Sequence, residues 1–276
     1  MSRPDPDHPA SRVGCALTLD VATPASVVIQ IAAARRHGAA PSERLEIVNN
    51  AVPVPAQELV GAVGGRQHLL HVQPGTVTVG YDATVTAGAG APTRVTDEER
   101  VEALRPSRYC PSDRLAGLAQ SHFGDLPTAL QRVRAICAYV WRHVAYMSET
   151  SGPTTDAADT LMSARGVCRD FAHLVAALCR AVEVPARIAS VYAPGLTPMD
   201  FHAVVEAEID GRWQVWDATR SAPRPTLVRI ATGRDAADIA LTTVTAGRAE
   251  LRSLQITAVA DGDLPLDDHD RLTALG

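Results

Sequence analysis

The feature that most constrains this chain is Asp210-Gly211, set between FHAVVEAEI (201–209) and RWQVWDAT (212–219). Both flanking runs are rich in strand-forming residues, and Asp-Gly is the strongest short-range signal for a two-residue hairpin loop. Such a loop sets the register: Ile209 faces Arg212, Val204 faces Asp217 and His202 faces Thr219. Directly opposed residues share a face, so His202 and Asp217 lie diagonally on one face of the ladder, at a Cα spacing of about 7–8 Å. A slip of one residue would part them. The turn therefore predicts an imidazole beside a carboxylate.

Upstream, GVCRDFAHL (166–174) opens a run with helical spacing. Phe171, Leu174, Val175, Leu178 and Val182 form one stripe, with Arg169, His173, Ala176 and Arg180 opposite, so His173 is expected to be exposed or to play a supporting part. Cys168 falls at the edge of the stripe in the first turn, where the macrodipole and unpaired N–H groups favour a thiolate. Thiol, imidazole and carboxylate then fit the roles of nucleophile, base and orienting group, and first-turn N–H groups are available to an oxyanion. Asp170 is expected to bond at the helix N-terminus or to a neighbouring loop. The bland alternative for Cys168 is one more core thiol, as Cys137 and Cys179 are read. Cys110, in a Tyr-Cys-Pro turn, reads as structural, and Cys15 carries no signal.

From about Gly14 to Val95 the apolar runs are short and strand-like: CALTLDV, SVVIQIAAA, RLEIVNN and HLLHVQ-PG-TVTVGYDATV, the last reading as a hairpin about Pro74-Gly75. His68 and His71, three apart, would face opposite sides of a strand. The breaker-rich TAGAGAPTRVTDEER ends this unit. Helical spacing follows from Pro127 to Tyr146 and at about 156 to 164, and ARIASVY (186–192) adds another strand before the hairpin. The expected organisation is a disordered tail at 1–13, a β-rich N-terminal domain at 14–104, a mixed core at 105–250, and a C-terminal strand with an acidic tail at 251–276. DGDLPLDDHD in that tail lacks the spacing and central glycine of a calcium loop and reads as a solvated acidic stretch.

A net charge of −5 without any basic block argues against nucleic acid or an anionic membrane surface as a partner. The apolar runs fall short of the roughly 18 residues a membrane span needs, and MSRPDPDHPASR matches neither a signal nor a transit peptide, so a cytoplasmic protein is expected. Five cysteines without a C-x-x-C pair suggest neither a disulfide framework nor a zinc knuckle, and reduced thiols are expected. A site built from Cys168, His173 and His202 lacks zinc-like spacing, so no metal or cofactor is expected. All 26 basic residues are arginine, and the chain offers no lysine amine.

GVCRDFAHLVAALCRAVEVPARIASVY followed by FHAVVEAEIDGRWQVWDATR resembles the core of the bacterial transglutaminase-like superfamily. RPSRYCPSD (105–113) and ATGRDAADIA (231–240) resemble further segments of the bacterial subgroup in which a β-rich domain precedes that core. The resemblance implies an α+β protein: a β-sandwich-like N-terminal domain, then a papain-like transglutaminase core whose Cys-bearing helix packs on an antiparallel sheet bearing His and Asp. It implies Cys168 as nucleophile, His202 as general base and acid, and Asp217 as orienting carboxylate, in agreement with the register. It further implies thiolate attack on a peptide or protein amide through an acyl-thioester, with no calcium requirement. Val204 stands where the family commonly has Trp, and Ala218 where it has Pro; the first departure bears on how an acyl donor is packed and walled from water. Three readings stay open: hydrolysis of a peptide or isopeptide amide, amine transfer to a protein glutamine, and a non-catalytic binding module that retains the fold. Bacterial relatives that look more like cysteine peptidases favour the first, Val204 tells against the second, and the presence of all three site residues tells against the third.

Overall fold

The computed structural model describes residues 10–35, 42–61, 64–86 and 94–275. Strand β1 (Ala10–Ile29) buries Val13, Cys15, Leu17, Leu19 and Val21. It is followed by β2 (Ser42–Asn49), β3 (Val52–Pro53), β4 (Gln57–Val60), β5 (Arg66–Val72) and β6 (Gly75–Thr86). These form one antiparallel sheet in the order β3-β2-β6-β1-β5-β4. Residues 10–13 of the expected tail belong to β1, whereas residues 1–9 of that tail and 87–93 of the breaker-rich segment lie outside the described residues.

The hairpin expected about Pro74-Gly75 does not form. Strands β5 and β6 instead run one after the other along β1, with Val72 opposite Ala25 and Gly75 opposite Val21. Proline has no N–H to give the ladder and Gly75 adopts φ +126°, so the dipeptide kinks a continuing strand rather than reversing it. Asn50 Nδ2 donates to the Pro74 carbonyl at 2.8 Å and the Gln73 N–H donates to Asn49 Oδ1 at 2.8 Å, replacing the interrupted pairing. His68 is buried and His71 exposed, on opposite sides as their spacing requires.

The second half contains α1 (Asp97–Leu104), α2 (Ala116–Ala119), α3 (Ala129–His143), β7 (Ala145–Tyr146), α4 (Ala157–Ser163), β8 (Arg165–Gly166) and α5 (Cys168–Ala181). After them come β9 (Ala186–Tyr192), β10 (Phe201–Ile209), β11 (Arg212–Trp216) and β12 (Val228–Gly233), an antiparallel sheet in the order β11-β10-β9-β12. Asp210 and Gly211 hold φ of 51° and 75°, the two positive values of a type I′ turn, and the ladder runs from Ile209 opposite Arg212 to Val205 opposite Trp216. The register read from the sequence is the register formed.

Helix α5 buries the expected stripe, but its other face is buried too, which corrects the exposed position expected for His173. The helix is enclosed because α2, α3 and α4 pack on it as well as β9 and β10. Its polar residues are accommodated by bonding: Arg180 donates to the carbonyls of Ala186 and Arg105 at 3.0 and 3.2 Å and to that of Arg234. His173 stacks on Tyr109 and its Nε2 accepts from the Ala236 N–H at 3.1 Å, and burial drives its pKa down to about 3.

The last strand, β13 (Thr242–Ala260), returns to the first sheet and pairs with β1 from Ile29 opposite Thr242 to Ser11 opposite Ala260. One hydrophobic cluster runs from β1 through α5 to β10, and the Tyr192 hydroxyl donates to the Ile31 carbonyl at 2.8 Å. The acidic tail is not simply solvated. Asp267 pairs bidentately with Arg224, itself 1% exposed, and the Thr273 carbonyl accepts from the Val215 N–H at 2.7 Å. A buried guanidinium needs a carboxylate, and Asp267 supplies it. No helix among the described residues is long and apolar enough to cross a membrane.

Candidate active site

Cys168 is the first residue of α5, and its placement begins with Gly166 and Asp170. Val167 adopts the extended geometry of an N-cap but has no side-chain acceptor, so Asp170 alone closes the cap, its Oδ2 accepting from the Val167 N–H at 2.8 Å. The other oxygen accepts from Ser151 Oγ at 2.8 Å, and Asp170 is wholly buried, so it bonds both the helix N-terminus and the preceding loop as expected. Arg169 fastens the same loop by donating to the Gly152 carbonyl at 2.8 Å. These bonds hold the first turn with Cys168 partly accessible at its end.

His202 lies near the start of β10 and Asp217 immediately after β11. The I′ turn brings them together: Nε2 of His202 stands 2.8 Å from Oδ2 of Asp217, and both side chains are 1% exposed. Asp217 is held in turn, its Oδ1 accepting from the Thr219 N–H at 2.9 Å and the Thr219 hydroxyl at 2.7 Å. Burial works against a charged imidazole, but the Asp217 carboxylate, its hydrogen bond and the neighbouring Cys168 side chain outweigh it and push the His202 pKa up to about 10. Burial likewise opposes the Asp217 charge, and His202 and Thr219 overcome it to hold the carboxyl below its usual range. The remaining ring nitrogen, Nδ1, is buried without a hydrogen-bond partner. An imidazole committed through Nε2 to a carboxylate has only Nδ1 left for proton exchange with a neighbour.

Tyr146 is the residue that sequence reasoning missed. Strand β7 pairs in parallel with β8, setting Tyr146 opposite Gly166, two positions before the cysteine, and the Met147 N–H donates to the Gly166 carbonyl at 2.9 Å. The phenol contacts the Phe171 ring at 5.9 Å between centroids and lies within hydrogen-bonding reach of the backbone N–H and the side chain of Cys168. Burial, then the Cys168 charge, push its pKa up to about 12, so it is a hydrogen-bond donor at neutral pH. A tyrosine directly after a helix and a short apolar segment is the sole sequence signal, and nothing in its spacing links it to Cys168.

The other thiols are set apart by burial, which pushes Cys15, Cys110 and Cys137 up to about 12 and Cys179 well above the ordinary value. All five cysteines are free thiols. Among the described residues no group of three or more His, Cys, Asp or Glu side chains is arranged to hold a metal ion.

Residues 116–218, which include Cys168, His202 and Asp217, match the model of the transglutaminase-like superfamily. The chain is 33% identical to a Cytophaga hutchinsonii protein whose crystal structure bears the name "Putative Cysteine Protease"; the two superpose with a TM-score of 0.85 over 96% of each chain. An uncharacterized Mycobacterium leprae protein is 28% identical over 115 residues, a match spanning 42% of this chain and 40% of that relative. The periplasmic domain of TgpA from Pseudomonas aeruginosa is 18% identical, with a TM-score of 0.41 over 78% of this chain and 90% of that one.

Proposed function

The chain belongs to the transglutaminase-like superfamily, and from that premise we propose that it is a cysteine hydrolase acting on peptide or isopeptide amides. One observation carries the reading: a buried His202 that holds Asp217 through Nε2 at 2.8 Å and keeps Nδ1 unpartnered beside a thiol at a helix N-terminus. An imidazolium kept charged to about pH 10 supports a thiolate on Cys168 as its counterion.

In this reading the Cys168 thiolate attacks the amide carbonyl carbon, forming the C–S bond and moving the carbonyl π electrons onto oxygen. The Tyr146 hydroxyl and the Cys168 backbone N–H stabilise that oxyanion. Its collapse breaks the C–N bond, and the amine leaves with the proton from His202, giving an acyl-thioester. Water then attacks the thioester, His202 takes its proton, and the carboxylic acid departs as the thiolate is restored.

The test is the rate of Cys168 alkylation against pH, in the native chain and in His202→Ala. The expected result is substantial labelling well below the free-thiol value of about 8.5, lost in the variant. The deeply protonated Cys110, Cys137 and Cys179 serve as internal controls and should label far more slowly. If Cys168 labels no faster than they do in either chain, the fold is retained as a binding module. Incorporation of a labelled amine into a glutamine peptide in preference to hydrolysis would reassign the second nucleophile from water to an amine.

A further inference from the structure

Strand β13 pairs with β1 along one edge, and among the described residues no strand pairs with its other edge. Long exposed edges are templates for another chain and are ordinarily guarded by charge. The first part of this one is, by Arg248, Glu250 and Arg252, but from Ser253 to Ala260 the sequence is SLQITAVA, uncharged and rich in strand-forming residues.

A groove of about 600 Å³ lies at that unguarded stretch. Its walls are Leu254, Gln255, Ile256 and Thr257 on one side and Met199 and Asp200 on the other. Four successive strand residues line it, whereas a groove over one face of the sheet would be lined by alternate residues. It therefore runs along the backbone edge. The opposite wall leads to the candidate active site: Asp200 is two residues before His202, and its charge acts on Tyr146, which lies against Cys168. Met199 is 50% exposed there, and Asp200 has no ion-pair partner among the described residues, its carboxylate accepting only from the Phe201 N–H at 2.7 Å.

We propose that the free edge of β13 at residues 254–257 takes up the substrate as an extended peptide, by main-chain pairing, with a basic side chain placed against Asp200. Main-chain pairing at an edge supplies affinity for any extended segment, and Met199 and Asp200 supply the preference for what flanks it. The substrate class is thus an unstructured stretch of polypeptide rather than a folded surface or a small amide. This inference rests on Cys168 being the nucleophile.

The probe is an acetyl-capped octapeptide of alternating Val and Thr ending in a chloromethyl ketone, with Arg, Gln or Glu near the ketone. An extended octapeptide reaches roughly 25 Å, about twice the length of the four-residue stretch it would follow. Amide hydrogen exchange at residues 254–257 is compared between the peptide-capped chain and one capped with iodoacetamide. The expected result is exchange slowed at least about tenfold on alternate amides of this stretch, with the Arg reagent labelling at least about tenfold faster than the Glu reagent. Asp200→Asn should bring those two rates within about twofold of each other. If Cys168 reacts with both reagents but residues 254–257 exchange as before, the edge is not the binding site, while the nucleophile stands. If neither reagent labels Cys168, the catalytic reading and this inference fall together.

Discussion

His202 has two ring nitrogens in different surroundings: Nε2 is committed to Asp217 at 2.8 Å and Nδ1 is buried without a partner, so in the proposed reaction exchange with Cys168 falls to Nδ1. The same pair makes stability depend on pH. His202 is raised to about 10 from about 6.5 in an unfolded chain, so its contribution is complete below pH 6.5 and is lost as pH rises toward 10. Asp217 is depressed, so its contribution is present above about pH 3.9 and lost as pH falls. The urea-midpoint gap between the native chain and Asp217→Asn should therefore be widest from about pH 4 to 6.5 and narrow steadily to pH 10; a gap that grows over that upper range contradicts the ion pair. Tyr146 makes a separate prediction. Tyr146→Phe should lower kcat about 10²–10³-fold with KM nearly unchanged and a smaller loss in iodoacetamide labelling of Cys168, since it removes a donor to the oxyanion. An equal loss in labelling would make the tyrosine a support for the thiol. His202 and Asp217 were legible because a two-residue turn converts sequence distance into register; Tyr146 was not, because its partner is reached through a two-residue parallel ladder that leaves no periodic trace.

At the scale of elements, the ladder of β7 and β8 and the cap of α5 act as one joint. Gly166 is in both: it pairs with Tyr146, and a Cβ added to it would stand 2.7 Å from Asp170 Cβ, which cannot swing aside as a side-chain tip could. Gly166→Ala should cost about 1–3 kcal/mol in urea unfolding through local overpacking and should lower activity as well, because the displaced cap carries Cys168 with it. Ser151→Ala, which removes the bond to Asp170 Oδ1 and the one the hydroxyl accepts from Arg169, should cost about 1–3 kcal/mol and keep most activity. Loss of stability in Gly166→Ala with activity intact would uncouple the joint from the site. Two elements were misread from sequence for identifiable reasons. Pro74-Gly75 has the composition of a reversal, yet the strand continues along β1 because Asn49 and Asn50, distant in sequence, supply the missing bonds. Helix α5 has an amphipathic pattern, yet it is enclosed on all sides, since its arginine and histidine find backbone partners that periodicity does not report.

In the whole molecule, β13 lies on β1, and the segment after it crosses to the second sheet. The crossing joins two parts, read from composition as 14–104 and 105–250, that already share one continuous core. It also gives the tail a structural task. A second cluster, made of Ala189, Val191, Val204, Val215, Leu227 and their neighbours, is closed by Leu275, whose carbonyl accepts from Arg229 at 2.9 Å. Val204 is the position where relatives were expected to carry Trp, so the smaller side chain sits in a cluster that the tail completes. Arg224 anchors this arrangement from within, buried and donating to the Val215 carbonyl at 3.0 Å as well as to Asp267. Asp267→Ala would leave that guanidinium buried and uncompensated, a loss of about 3–5 kcal/mol. Arg224→Met with Asp267→Leu removes both charges and should recover most of the loss, because an apolar pair of similar volume has no desolvation to repay. If Asp267→Ala unfolds at the native urea midpoint, the tail does not anchor the second cluster; if the single variant is destabilised and the double one restored, it does.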